Sequence, residues 1–207
     1  MSSTGYFITG IGTEVGKTVA SAYLQLALDA DYWKPVQAGD LDFGDTDRVR
    51  SYTGMARDRY HPERYRLNTP ASPHYAARVD GLDISLDDFQ LPDTHGKPLL
   101  VEGAGGIMVP LNERDTMLDL IVHLGLPVVV VSRHYLGSIN HTLLTLAVLR
   151  GRGCKVAGLV FSGHNPESAR IITQMGQVAV LAEIPELEEV SAQAVRELVA
   201  ARPPSVA

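Results

Sequence analysis

The stretch GIGTEVGKT at residues 10–18 combines the residue types that a polyphosphate requires of a protein. Gly10, Gly12 and Gly16 leave backbone N–H groups open to approach, with Thr13, Glu14 and Val15 completing the turn. Lys17 adds a mobile positive charge, and the Thr18 hydroxyl is a hard oxygen suited to Mg²⁺. A phosphate cradle needs N–H groups converging on one anion and a helix N-terminus behind them. The glycine spacing is one residue longer than the strict GxxxxGK[ST] pattern. The residues therefore predict either a widened cradle or an ordinary glycine-rich turn ahead of Lys-Thr.

Two acids and a second lysine could complete such a site. Glu102 follows the apolar run PLLV and opens VEGAGG, where Gly103, Ala104 and Gly105 let the backbone come close to a polyphosphate. An acid ending a buried strand is costly unless it meets a cation, which makes Glu102 a candidate Mg²⁺ ligand. Asp47, in GDTDRVR, is either a further Mg²⁺ ligand or a helix N-cap. Lys34, in WKPVQAGD, precedes Pro35, which fixes the following backbone and aims the ammonium at the ligand edge of a sheet; an ordinary surface lysine is the alternative.

The elements that must position these residues follow from hydrophobic pattern. Short β-rich runs at Tyr6–Thr9, Tyr32–Val36, Pro98–Val101, Val128–Ser132, Val156–Phe161 and Val178–Leu181 alternate with helical periodicity at Lys17–Leu28, Ile139–Arg150 and Val190–Ala201. This alternation predicts an α/β fold: one domain over residues 1–207, with a mostly parallel central sheet flanked by helices on both faces. Residues 38–45 and 58–72 lack apolar periodicity and are expected to be ligand-holding loops. The tail from residue 202 carries two prolines and is expected to fray.

The composition narrows the function classes. With 207 residues, 45% of them hydrophobic, and a formal charge of −6 without long blocks of one sign, neither nucleic acid nor an anionic membrane is the expected partner. The single cysteine, Cys154, has no intramolecular disulfide partner, and no metal cluster surrounds it. The first residues show no secretory leader and no apolar run reaches membrane-spanning length, so a cytoplasmic protein is expected.

Taken in order, TGIGTEVGKT, YWKPVQAG, the DTD segment, TPASPH, LLVEGAGGIMVPL, VVVVSRHYLGSINHTLLT, VAGLVFSG and EIPEL resemble the dethiobiotin synthetase family. The resemblance implies the P-loop NTPase-like fold and makes the longer glycine step a family form of the cradle. It implies an ATP-dependent ligase of biotin biosynthesis, acting on 7,8-diaminononanoate and CO₂ or bicarbonate with Mg²⁺. Lys17 and Lys34 would then flank the transferred phosphoryl group with Thr13 nearby, while Thr18, Asp47 and Glu102 surround the metal. Ser162, Gly163, Glu183, Ile184 and Pro185 would face the base, and Ala38, Ser72 and Pro73 the substrate. Gly137, Ser138 and Asn140 would bind the substrate carboxylate from a neighbouring subunit, so a homodimer with shared sites is implied. Their alternative role is helix capping. His74 and His141 are read as supporting or structural.

Two departures matter. Ala38 stands where relatives carry a hydroxyl, and Ser162-Gly163 stands where some carry Asn-Asp. A serine cannot match the donor-acceptor fork of an asparagine, so relaxed nucleotide choice is expected. The competing reading is a P-loop partitioning or switch ATPase acting on a protein partner, which predicts a basic surface or a terminal amphipathic helix. The last helical segment, VSAQAVRELVA, has one arginine and two acidic neighbours upstream, so it does not read as membrane-seeking.

Overall fold

The computed structural model describes residues 5–205; residues 1–4, searched above for a leader, and 206–207 of the tail lie outside the described residues. The chain runs β1 (Gly5–Gly10), α1 (Lys17–Leu28), β2 (Asp31–Trp33), β3 (Val36–Ala38), α2 (Asp45–Thr53), β4 (Tyr60–His61), β5 (Tyr65–Leu67) and α3 (Pro73–Val79). It continues β6 (Leu99–Gly106), α4 (Met117–Leu124), β7 (Val128–Arg133), α5 (Ser138–Gly151), β8 (Val156–Ser162), α6 (Pro166–Gly176), β9 (Val180–Ile184) and α7 (Ala192–Ala201).

Val128–Val131 show why a sheet forms with helices on both sides. All four valines are wholly buried, which is possible for consecutive strand residues only if both faces are covered. Val128 and Val130 join a core that includes Leu146 of α5 and Ile172 of α6; Val129 and Val131 join one with Leu24 of α1 and Val195 of α7. The sheet has seven strands in the order β4-β2-β6-β1-β7-β8-β9, and its ladders are parallel. Parallel pairing forces crossovers, and it brings the ends of β1, β2 and β6 together on one edge.

The predicted α1 coincides with the observed one, and the α/β class is as expected. Three local readings are corrected. Residues 32–36, read as one strand, divide at Lys34-Pro35: β2 stays in the main sheet, while β3 pairs with β5 in a separate two-stranded sheet. Pro35 has no N–H to donate to a ladder, and its carbonyl accepts from Arg64 and Tyr65 N–H at 2.9 and 3.0 Å. Residues 58–72, expected to be loop, contain β4 and β5. The tail is held as far as Ser205: the Arg202 carbonyl accepts from the Tyr23 hydroxyl, and Ser205 N–H donates to Leu181 O at 2.8 Å.

Candidate active site

The cradle begins where β1 ends and closes where α1 starts. Gly16 has φ 92°, and a Cβ there would lie 2.9 Å from the Ser162 Oγ, so conformation and space both call for glycine. Val15 is 3% exposed and supports the loop from the core. Lys17 folds back so that its Nζ donates to Gly12 O at 2.9 Å. Burial lowers the Lys17 pKa to about 8, with Lys34 repulsion adding and Glu102 and Asp45 opposing.

Opposite the cradle, Glu102 lies one strand over, in register with Ile8, and is only 1% exposed. Its Oε2 accepts from Ser21 Oγ at 2.6 Å and from the Tyr32 hydroxyl at 3.1 Å. That leaves Oε1 for Lys34 Nζ at 3.2 Å and Thr18 Oγ1 at 3.3 Å. Lys34 also donates to Gly103 O at 3.2 Å and lies 2.6 Å from Asp45 Oδ2. Asp45 Oδ1 completes the ring by accepting from Thr18 at 3.2 Å. Burial by itself would depress the Lys34 pKa, but Glu102 and Asp45 outweigh it and hold the ammonium above the ordinary lysine range. Burial likewise would raise Asp45, yet Lys34 holds it below the usual carboxylate range.

Asp47 does not face this ring, and its assignment as a metal ligand is corrected. Its Oδ2 accepts from Gly44 N–H at 3.3 Å, capping the start of α2 from the N3 position, and its Oδ1 accepts from Arg50 one turn on at 2.9 Å. Asp45 takes the place expected of it. A helix advances about 100° per residue, so acids two apart point about 200° apart and cannot share a target. The GDTDRVR string was visible, but its helical phase was not. Ser21 and Tyr32, which tie down the rear oxygen of Glu102, carried no signal in the sequence.

The ring opens into a cavity of about 870 Å³ lined by Thr13, Glu14, Gly16, Lys17, Thr18, Lys34, Ala38, Ser72, Pro73, Ala104 and Gly105, among others. Ser72 Oγ is 3.0 Å from His74 Nδ1, so His74 orients a cavity-lining hydroxyl. Ser162 and Ile184 pair at the ends of β8 and β9, and Gly163 N–H donates to Ile184 O at 2.8 Å. Glu183 lies 3.4 Å from His164. This group, with Pro185, borders the cradle through Ser162 and not the main cavity. Gly137, Ser138 and Asn140 do not line the cavity of their own chain. Gly137 and Asn140 are exposed at the start of α5, and the Ser138 side chain, 1% exposed, is enclosed at the helix base.

Among the described residues no His, Cys, Asp or Glu group of three forms a metal cluster. One hydroxyl and two carboxylates nevertheless converge in Thr18, Asp45 and Glu102, hard oxygen donors that suit Mg²⁺, a cation that keeps several of its waters. The arrangement can hold a Mg²⁺-bound triphosphate and gather positive charge where a phosphoryl group moves.

The family model described as an AAA domain matches residues 4–194. The chain is 47% identical to the ATP-dependent dethiobiotin synthetase BioD of Afipia carboxidovorans, over 94% of this chain and 93% of that one. It is 49% identical to that of Christiangramia forsetii, covering 87% of each. A ParA family ATPase from Chlorobium tepidum superposes with a TM-score of 0.57 at 13% identity, covering 97% of this chain and 93% of that one. That likeness concerns the fold.

Proposed function

The chain belongs to the ATP-dependent dethiobiotin synthetase family, and from that premise we propose that it joins CO₂ to 7,8-diaminononanoate and closes the ureido ring. One observation carries the reading. Lys34, the Thr18 hydroxyl and the carboxylates of Asp45 and Glu102 meet within hydrogen-bond range at the mouth of a cavity that Lys17 also lines and that reaches Ala38, Ser72 and Pro73.

One amine adds to CO₂, forming a C–N bond and losing a proton to solvent. The carbamate oxygen then attacks the γ-phosphorus of ATP as its bond to ADP breaks. The second amine attacks the carbonyl carbon of the resulting mixed anhydride, forming the second C–N bond as the C–O bond to phosphate breaks, and it gives up a proton to solvent as phosphate leaves. The chain needs no nucleophile of its own. Lys34, charged and buried, faces the carbamate and the γ-phosphoryl group; the Gly12–Thr18 cradle holds the phosphates, and Lys17 moves from Gly12 O to meet them. Mg²⁺, held by Thr18, Asp45 and Glu102, would supply neutralisation of phosphate charge.

A homodimer with shared sites belongs to the same proposal. Leu136 and Ile139 stand exposed at the start of α5, and exposed Leu144 and Met108 line a second, mainly apolar groove of about 410 Å³ that borders Gly12 and Thr13. A second copy seated there would bring Gly137 and Asn140 to the substrate carboxylate. Among the described residues no helix is long and apolar enough to cross a membrane, in keeping with action in the cytoplasm.

The deciding experiment supplies diaminononanoate, bicarbonate and Mg-ATP and looks for dethiobiotin by mass. Phosphate release without that product would refute the assignment.

A further inference from the structure

The carboxylate of Asp45 is useful only if the first turn of α2 sits at the right height above Lys34 and Thr18, and the chain reaches that turn through a loop whose middle is held by Phe43 N–H donating to Asp40 O at 3.1 Å and Arg66 donating to Leu41 O at 2.8 Å. Gly39 and Asp40 both take left-handed conformations, with φ 73° and 51°. Helix α2 has glycine at its N-cap, so no capping side chain receives its first amides.

A residue outside the helix supplies what is missing. Gln37, in the middle of β3, is 6% exposed, and each end of its amide is occupied. Its Nε2 donates to Gly39 O at 3.0 Å, and its Oε1 accepts from Asp45 N–H at 3.2 Å. The two contacts span the start and the finish of the loop. The loop also rests on the amide itself, since a Cβ at Gly44 would come within 3.3 Å of the Gln37 Cδ. A buried amide satisfied at both ends is rigid, and removing it leaves the Asp45 amide and the Gly39 carbonyl without partners.

We propose that Gln37 is a positioning residue for the metal-binding acid: its side-chain amide splints the Gly39–Asp45 loop and so sets where the Asp45 carboxylate meets Lys34 and Thr18. The inference rests on the Mg²⁺-dependent reading above, but its tests need neither the diamine nor turnover, so the two can fail separately.

The first test uses the unaltered protein. Hydrogen exchange should find the Asp45 amide protected at least tenfold relative to a free helix-start amide, although it begins a helix; exchange at the unprotected rate would overturn the splint. The second uses Mn²⁺ as the probe, titrated by electron paramagnetic resonance into the full-length protein with ADP. Gln37→Met, of similar length but without the amide, should weaken Mn²⁺ binding about tenfold. Gln37→Glu retains the acceptor for Asp45 N–H but loses the donor to Gly39 O, so its Mn²⁺ affinity should fall between those of Gln37→Met and the parent. Because Gln37 acts through Asp45, adding Gln37→Met to Asp45→Asn should cause little further loss. Parental Mn²⁺ affinity in Gln37→Met, or losses that simply multiply in the double variant, would show that Gln37 does not position Asp45.

Discussion

Lys34 Nζ and Asp45 Oδ2 are 2.6 Å apart, joining the end of β2 to the first turn of α2 across the floor of the cavity. The lysine is 3% exposed and has Glu102 on its other side, so its charge is retained by two acids and remains available to a third anion. Lys34→Gln should lower kcat by roughly a hundredfold or more, because charge develops where the ammonium sits. Steady-state kinetics in ATP and diamine check this; a change confined to the KM for ATP would assign Lys34 to ground-state binding.

Asp45 and Asp47 should separate cleanly. Asp45→Asn is expected to cut turnover by about two orders of magnitude and to raise the Mg²⁺ requirement, since it removes charge from the metal side of the ring. Asp47→Asn should leave turnover within about threefold and cost about 1 kcal/mol in denaturant unfolding, the value of a helix-capping contact. The opposite ranking in turnover would return the metal to Asp47.

Lys17 makes nucleotide affinity depend on pH. Burial holds its pKa at about 8, whereas bound phosphates favour the charged form. Binding then takes up a proton above that pH, and affinity falls as pH rises, by about tenfold per unit until the bound-state pKa is reached. Calorimetric titration of ATP without diamine between pH 7 and 9.5, in two buffers of different ionisation enthalpy, reads both the slope and the proton. Lys17→Arg should flatten the slope, because guanidinium stays charged.

Active sites shared between subunits predict complementation. Lys17→Ala and Asn140→Asp chains, each inactive alone, should regain part of the parental activity when mixed, because one site of a mixed dimer contains neither change. Failure to recover, with subunit exchange verified by mass, would place each site within one chain.

Nucleotide choice should be relaxed, with GTP or CTP supporting dethiobiotin formation within about tenfold of ATP in kcat/KM, a difference of about 1.4 kcal/mol. The Ser162 hydroxyl lies against Gly16 of the cradle, and a single hydroxyl offers one base no fitted fork. A preference for ATP of a hundredfold would mean that another group reads the base.

Much of the site was legible in one dimension. Lys17, Thr18, Lys34 and Glu102 declare themselves because each ends or begins an element whose pattern is local: a glycine turn between strand and helix, a lysine before proline, an acid after a buried apolar run. The likeness to dethiobiotin synthetases was legible for the same reason, being a succession of contiguous motifs. What a local pattern cannot contain is the direction of a side chain relative to residues far along the chain. The string GDTDRVR does not distinguish Asp45 from Asp47, because which acid meets Thr18, 27 positions away, depends on where α2 starts, and that start is braced by Gln37 of another strand. Pro35 divided one predicted strand into two sheets through carbonyl contacts to residues beyond β4. The tail, polar and proline-rich, was held by a tyrosine 179 positions earlier. Sequence determined which groups could do the chemistry; the packing of α2 against the sheet edge decided which of them face one another.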